Sequence, residues 1–310
     1  MKLTRRQFIK LFSSSAAGVA VTSVYNPQLA RALEAGKDGK PPVIWLQGAG
    51  CNGCSVSLLN TVHPKIAEVL LQVISLRFHP TLMAGTGKTA FDVVQETAAA
   101  HKGKFILVLE GGIPTADNGI YCTIGERDGH HVTLLDEVQR LAPDAAALVA
   151  VGTCATFGGI PAAKPNPTAV KGLAEVTGKT VVNVSGCPAH PDWVIGTLVH
   201  VLLFGMPELT KDNRPKLFYG KNLHDNCPNY SYYANGDLAK QLGEEKCLAQ
   251  VGCKGPLSFA DCPQRRWNSG VNWCIGSGTG CIACCEPGFP DASSPMYAKL
   301  PEHMMPNRIA

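Results

Sequence analysis

The sequence predicts an α/β chain, a doubly wound, flavodoxin-like parallel sheet followed by a mostly irregular region. Three observations support this. Short apolar runs alternate with helix-like segments from Pro41 to about Gly220. The runs are continuously apolar, as strands buried on both faces are, rather than alternating. The rhythm then stops near Lys221, and the rest is rich in Cys, Gly, Pro, Asn and Trp.

The strand candidates are Val43 to Gln47, Val73 to Phe78, Phe105 to Glu110, Ala147 to Val151 and Thr180 to Val184. Helical spacing of apolar residues marks Thr89 to Lys102, Val132 to Leu141 and Asp192 to Leu203. A repeated strand-helix order of this kind builds a parallel sheet covered on both faces. In the irregular region only Asp237 to Glu245 reads as a helix. Ninety residues so poor in regular elements need something else to organise them, and bound clusters would supply it.

The N-terminus reads Thr4-Arg5-Arg6-Gln7-Phe8-Ile9-Lys10, then a small-residue apolar run to Val24, then Ala30-Arg31-Ala32. This is the anatomy of a twin-arginine export signal spanning residues 1–32. The expected division is therefore a signal (1–32), a sheet domain (41–220) and a C-terminal domain (221–310). The signal holds five of the 28 Lys and Arg residues and no acid, which leaves 23 bases against 24 acids. That near-neutral remainder gives no electrostatic footprint for nucleic acid. No apolar run elsewhere has spanning length, so the mature chain is expected to lack a transmembrane segment.

The chain contains 13 cysteines. A core of this size does not need disulfides, and an odd count cannot pair completely. Twin-arginine substrates commonly cross the membrane folded, with a cofactor already inserted, which shifts weight from disulfides to metal clusters.

Cys51 and Cys54 (GAGCNGCS), Cys154 (VGTCATFGG) and Cys187 (VSGCPAHPD) each follow a strand. Sites in open α/β sheets form at the carboxyl ends of strands, so these four converge into one tetrahedral, all-cysteine set. Gly48, Gly50, Gly53, Gly152 and Gly186 let backbone amides approach the sulfurs. A second group holds His224 and Cys227 (HDNCP) with Cys247 and Cys253. One histidine with three cysteines suits a structural zinc or an iron-sulfur cluster. A third joins Cys262 (ADCPQRRWN) to Cys274, Cys281 and Cys284, where zinc is again possible on chemistry alone. Eleven cysteines and one histidine thus make three sets of four, leaving Cys122 and Cys285 without a role. Lys221, Lys246 and Lys254 near the second set read as a solvated face that could help dock an electron-transfer partner.

Two weaker signals carry less. LMAGTGKTA has Leu82 where a phosphate loop needs glycine. His130-His131 reads as a surface or local packing contact.

Together CNGCS, HPTLMA (His79 to Ala84), VGTCATFGGIPAA, GCPAHPDW, HDNCP, GCKGP, VNW and CIACCEP, with the twin-arginine leader, resemble the small subunit of the nickel-iron hydrogenases over nearly the whole chain. The resemblance implies an electron wire in a periplasmic heterodimer that catalyses reversible oxidation of dihydrogen. The nickel-iron centre would lie in the partner large subunit, and a c-type cytochrome or similar carrier would accept electrons. It implies a proximal [4Fe-4S] cluster on Cys51, Cys54, Cys154 and Cys187. The distal [4Fe-4S] cluster would sit on His224, Cys227, Cys247 and Cys253, and the medial cluster on Cys262, Cys274, Cys281 and Cys284.

Three positions refine this. Many members have proline where this chain has Cys274, and hold a three-iron medial cluster; a fourth thiolate implies a third [4Fe-4S] cubane. That and GAGC, in place of an acidic residue before Cys51, look like the nickel-iron-selenium subclass. Oxygen-tolerant members with a six-cysteine proximal cluster carry cysteine at Gly53, so an ordinary four-cysteine cluster is expected here. The rival readings are a stand-alone ferredoxin-like carrier, which needs no nickel-bearing partner, and a disulfide-bonded or zinc-stabilised exported binding protein, which would be colourless.

Overall fold

The computed structural model describes residues 40–62 and 64–302. The export signal expected at residues 1–32 lies outside the described residues. Five parallel strands form the central sheet: β1 (Pro42–Gln47), β2 (Ser75–Phe78), β3 (Ile106–Glu110), β7 (Ala147–Val151) and β9 (Val182–Val184). Their order is β2-β1-β3-β7-β9, the flavodoxin-like arrangement. Gln47 pairs with Glu110, Glu110 with Val151 and Val151 with Val184, so the carboxyl ends of four strands lie level.

Period-two alternation divides the strands between two cores. Val43, Trp45, Ile106, Val108, Val149, Val182 and Val184 pack on α1 (Gly53–Leu59) and on the helix Pro191–Phe204. Ile44, Leu46, Leu107, Leu109 and Leu148 face the opposite way, onto α2 (Gly87–Ala100) and α3 (Leu134–Leu141). Apolar on both faces, the strands read as unbroken hydrophobic runs for this reason. Two short helices, α4 (Thr153–Phe157) and α5 (Leu173–Thr177), precede the long α6 (Pro191–Phe204). In α6, Pro191 occupies the first turn and His190 caps it by accepting from the Asp192 amide. A two-residue pair, β4 (Ile113–Pro114) with β8 (Val170–Lys171), lies beside the sheet.

Three local expectations change. The second strand begins at Ser75 rather than Val73, because Val69–Val73 winds as a π-helical turn that buries Val69 and Val73 in the first core. The helix expected from Val132 begins at Leu134. Before it, β5 (Thr123–Arg127) and β6 (His130–Thr133) form a hairpin, turned by Asp128-Gly129 with both residues at positive φ. His130 and His131 are exposed on that hairpin.

The helix expected at Asp237 to Glu245 is absent. Gly236 and Gly243 take positive φ at its ends, and Leu238 pairs with Cys247 instead. The nearest helix is α7 (Tyr230–Ala234). From 221 onward the chain otherwise consists of turns and single-turn helices around two small buried clusters. No helix among the described residues is long and apolar enough to cross a membrane.

Candidate cluster-binding sites

The level strand ends bring Cys51, Cys54, Cys154 and Cys187 together. Burial pushes the Cys154 thiol up to about 11, with the charges of Cys187 and Cys51 adding to it. Cys54 is raised by burial, then by Glu110, Cys154 and Cys187, so the four sit within one electrostatic neighbourhood. The Gly53 amide donates to the Cys51 sulfur and the Ala189 amide to that of Cys54, both at 3.4 Å. Gly152 is required twice over: its φ is +87°, and a Cβ there would lie 2.5 Å from the Cys54 sulfur. At Gly53 a Cβ would stand 3.1 Å from the Cys51 sulfur.

Beneath this set lies a network that spacing rules do not reveal. Glu110, buried at the end of β3, accepts from the Cys54 and Ser55 amides at 3.0 Å and from Trp45 Nε1 at 3.2 Å. The two amides share Oε1, and the Ser55 hydroxyl joins Trp45 Nε1 in donating to Oε2. His79 completes the chain: its Nδ1 accepts from the Thr81 amide, so Nε2 carries the proton toward Ser55 Oγ, 3.2 Å away. Burial lowers His79 to about 4, which keeps it neutral. The one available sequence signal is an acid ending the otherwise apolar run FILVLE.

His224, Cys227, Cys247 and Cys253 line one small cavity. His224 is buried, wedged between Tyr230 and Tyr233, and its Nε2 has no hydrogen-bond partner. Burial also lowers its pKa, leaving the neutral imidazole a metal ligand requires. The Gly255 and Cys281 amides donate to the Cys253 sulfur at 3.4 and 3.3 Å. A buried, unpartnered imidazole nitrogen facing three thiols fits a metal group, and amides aimed at sulfur suit iron-sulfur ligation.

Burial raises Cys262, Cys281 and Cys284; the charges of Cys284 and Cys281 add to Cys262, that of Cys281 to Cys284 and that of Cys253 to Cys281, with Cys274 contributing to each, and Cys281 and Cys284 reach about 12. Ser258 and the Ala283 amide bond to the Cys281 sulfur. Thiols desolvated this far stay protonated near neutral pH, and metal coordination would remove those protons outright. Cys285 borders this set, yet its thiol turns toward Glu286 and the Phe259 carbonyl and packs into the first sheet core. Cys122 stands apart from all three sets, packed against the second sheet core.

The third set is bolted to the sheet by buried charge. Arg214 donates to the Cys285 carbonyl, both Glu286 oxygens and Asp212. Arg265 bridges Asp261 and Asp192, and Trp193 Nε1 donates to Asp261 at 2.7 Å. The expected solvated lysine face holds for Lys221, which is exposed, and not for Lys254. That residue is buried, and its Nζ donates to the Ala298 carbonyl.

Comparisons with known proteins identify relatives of the whole chain. Residues 219–297 match the family described as the C-terminal part of the NiFe/NiFeSe hydrogenase small subunit, and residues 51–201 match "NADH ubiquinone oxidoreductase, 20 Kd subunit". The chain is 49% identical to the periplasmic [NiFeSe] hydrogenase small subunit of Desulfomicrobium baculatum, over 96% of this chain and 99% of that one. It belongs to the nickel-iron hydrogenase small-subunit family. The periplasmic [NiFe] hydrogenase small subunit 1 of Nitratidesulfovibrio vulgaris is 40% identical over 95% of this chain and 93% of that one. Among solved structures, the oxidised recombinant [NiFeSe] hydrogenase of Desulfovibrio vulgaris Hildenborough superposes with a TM-score of 0.81. The identity is 46%, and the match covers 84% of this chain and 99% of that one. Hydrogenase small subunits thus share both its sequence and its parallel-sheet fold.

Proposed function

We propose that this chain is the electron-transfer component of a periplasmic hydrogenase catalysing reversible oxidation of dihydrogen. In this reading it passes electrons between a nickel-iron centre in a partner large subunit and an external carrier of the c-type cytochrome kind, through three [4Fe-4S] clusters. Export by the twin-arginine route would deliver it folded. The observation that carries the reading is His224, buried with an unpartnered Nε2 at a cavity it shares with Cys227, Cys247 and Cys253. A disulfide-stapled exported protein has no use for such a nitrogen.

Cys51, Cys54, Cys154 and Cys187 would hold the proximal cluster; Cys262, Cys274, Cys281 and Cys284 the medial; and His224, Cys227, Cys247 and Cys253 the distal. When bound, these groups supply one-electron carriers. The chain's own residues keep the sulfurs in low dielectric and aim amides at them, both of which tune potential. Glu110, at the end of β3, holds the Cys54 amide in place while also accepting from the Ser55 amide and hydroxyl and from Trp45 Nε1. Cys274, exposed at the mouth of the third set, would supply the fourth thiolate.

Elemental analysis of the complex captured anaerobically through this chain tests the reading. About twelve iron atoms per chain from three cubanes are expected, plus nickel and the iron of the partner site. Selenium would place it in the nickel-iron-selenium subclass. Iron without nickel would leave a stand-alone carrier, and absence of iron would overturn the cluster sites.

A further inference from the structure

One motif of the sequence, HPTLMA (His79 to Ala84), contributes no ligand to any set, and the fold lays it against the first one. The chain turns at His79, whose carbonyl accepts from the Leu82 and Met83 amides at 3.2 and 3.1 Å. Two arms leave this turn. On one, His79 Nδ1 accepts from the Thr81 amide at 3.2 Å, so Nε2 donates to Ser55 Oγ, 3.2 Å away. Ser55 Oγ donates in turn to Glu110 Oε2, and Glu110 Oε1 accepts from the Cys54 amide at 3.0 Å. On the other, Thr81 Oγ1 donates to Gln47 Oε1 at 3.3 Å and Gln47 Nε2 donates to the Cys51 carbonyl at 3.4 Å. One turn thus reaches the backbone of both cysteines of CNGC. The first arm is dry: His79, Ser55 and Glu110 are 1%, 0% and 2% exposed.

We propose that the turn is a bracket for the first cysteine set, and that His79 is its positioning residue, acting on the Cys54 amide through Ser55 and Glu110. The Gln47–Thr81 arm anchors the same turn to Cys51. The inference rests on the cluster reading above and adds to it the group that fixes the charge beside the first set. Histidine suits the task because both ring nitrogens are used. The Thr81 amide fixes one, the other is left as a donor, and burial keeps the ring uncharged. Trp45 packs on the ring with 4.9 Å between centroids, and its Nε1 donates to the same Glu110 oxygen that Ser55 uses. Ring, hydroxyl and carboxylate are each engaged from two sides, so the Glu110 carboxylate has one orientation, at the Cys54 amide. A negative charge fixed beside a cluster opposes the arrival of an electron, so the bracket holds the potential of the first set down.

The test uses the intact heterodimer purified anaerobically, with iron content measured on every sample. Redox titration followed by paramagnetic resonance gives the midpoint potential of each set, and Cys51→Ser identifies the signal of the first. His79→Leu, which removes both ring nitrogens, should shift the first-set potential upward and leave the other two at their wild-type values. His79→Gln, which keeps an N–H toward Ser55, should return it to near the wild-type value. In a Ser55→Ala background His79→Leu should add nothing, because the ring acts through that hydroxyl; a further shift there would overturn the proposal. So would an unchanged or lowered first-set potential in iron-replete His79→Leu protein, or an equal shift of all three potentials, which a general loosening of the fold produces. If His79→Leu does not retain iron, Ser55→Ala decides alone, an upward shift confined to the first set supporting the proposal and any other result overturning it. A wild-type complex without iron would instead remove the cluster reading itself.

Discussion

The sheet region, 42–204, and the C-terminal region, 221–302, bury their interiors by different means. The first closes two apolar cores on the faces of five strands, with Trp45, Trp193, Phe105 and Leu107 fully enclosed. The second has two small clusters, and Cys247, Cys253 and Cys281 are themselves members of them. One region can be held by hydrophobic burial; the other places its proposed ligands where a core would be. The sheet thus provides a rigid edge for the first set, while the second and third sets and their surroundings depend on one another.

Removing iron is the largest way to sharpen that contrast. Under anaerobic chelation, residues 221–302 should lose most of their amide-exchange protection, while β1, β3 and β7 stay protected, because metal-binding energy is folding energy where the other buried clusters are small. Equal protection in both regions would show that the C-terminal half stands by itself.

The next effect joins the regions. Arg214→Met leaves Glu286 and Asp212 without their buried cation and should cost about 3–5 kcal/mol. Thermal unfolding should show the C-terminal region detaching first, since Arg214 reaches it through Cys285 and Glu286.

Acid should weaken the sheet edge selectively. His79 is depressed from 6.5 to about 4. Between those values the unfolded chain binds a proton that the folded chain does not, so stability is complete above pH 6.5 and falls as pH drops toward 4. The loss amounts to about 3 kcal/mol. The thermal midpoint against pH should carry this slope in the wild type, and His79→Asn should flatten it.

The smallest effect is confined to one helix. Thr133 accepts from the Asp136 amide as the cap of α3, and Thr133→Ala should cost about 1 kcal/mol. Exchange in the first turn of α3 should rise while the C-terminal region remains unchanged.

Much of this is legible in the chain. Five unbroken apolar runs mark the five strands, since parallel strands covered on both faces show no alternation. Cysteines placed just after the first, fourth and fifth of these runs point to a common edge, and the three groups of four follow from their clustering. The departures are local. Composition favours a helix at Asp237 to Glu245, and a bridge between Leu238 and Cys247 displaces it. Lys254 reads as solvent-facing because lysine usually is, and a carbonyl 44 residues away draws it inward.

Sequence alone therefore determined the strand-helix rhythm, the edge on which the first ligands meet and the residue types in each set, because these follow from short-range periodicity and from glycine and cysteine placement. Tertiary structure decided which groups surround them. Glu110 reaches Cys54 from 56 residues away, Thr153 reaches Cys284 from 131, and Cys285 turns from the cluster site into the sheet core. Such contacts depend on strand order, register and the angle at which the C-terminal chain returns to the sheet. No local spacing encodes those quantities.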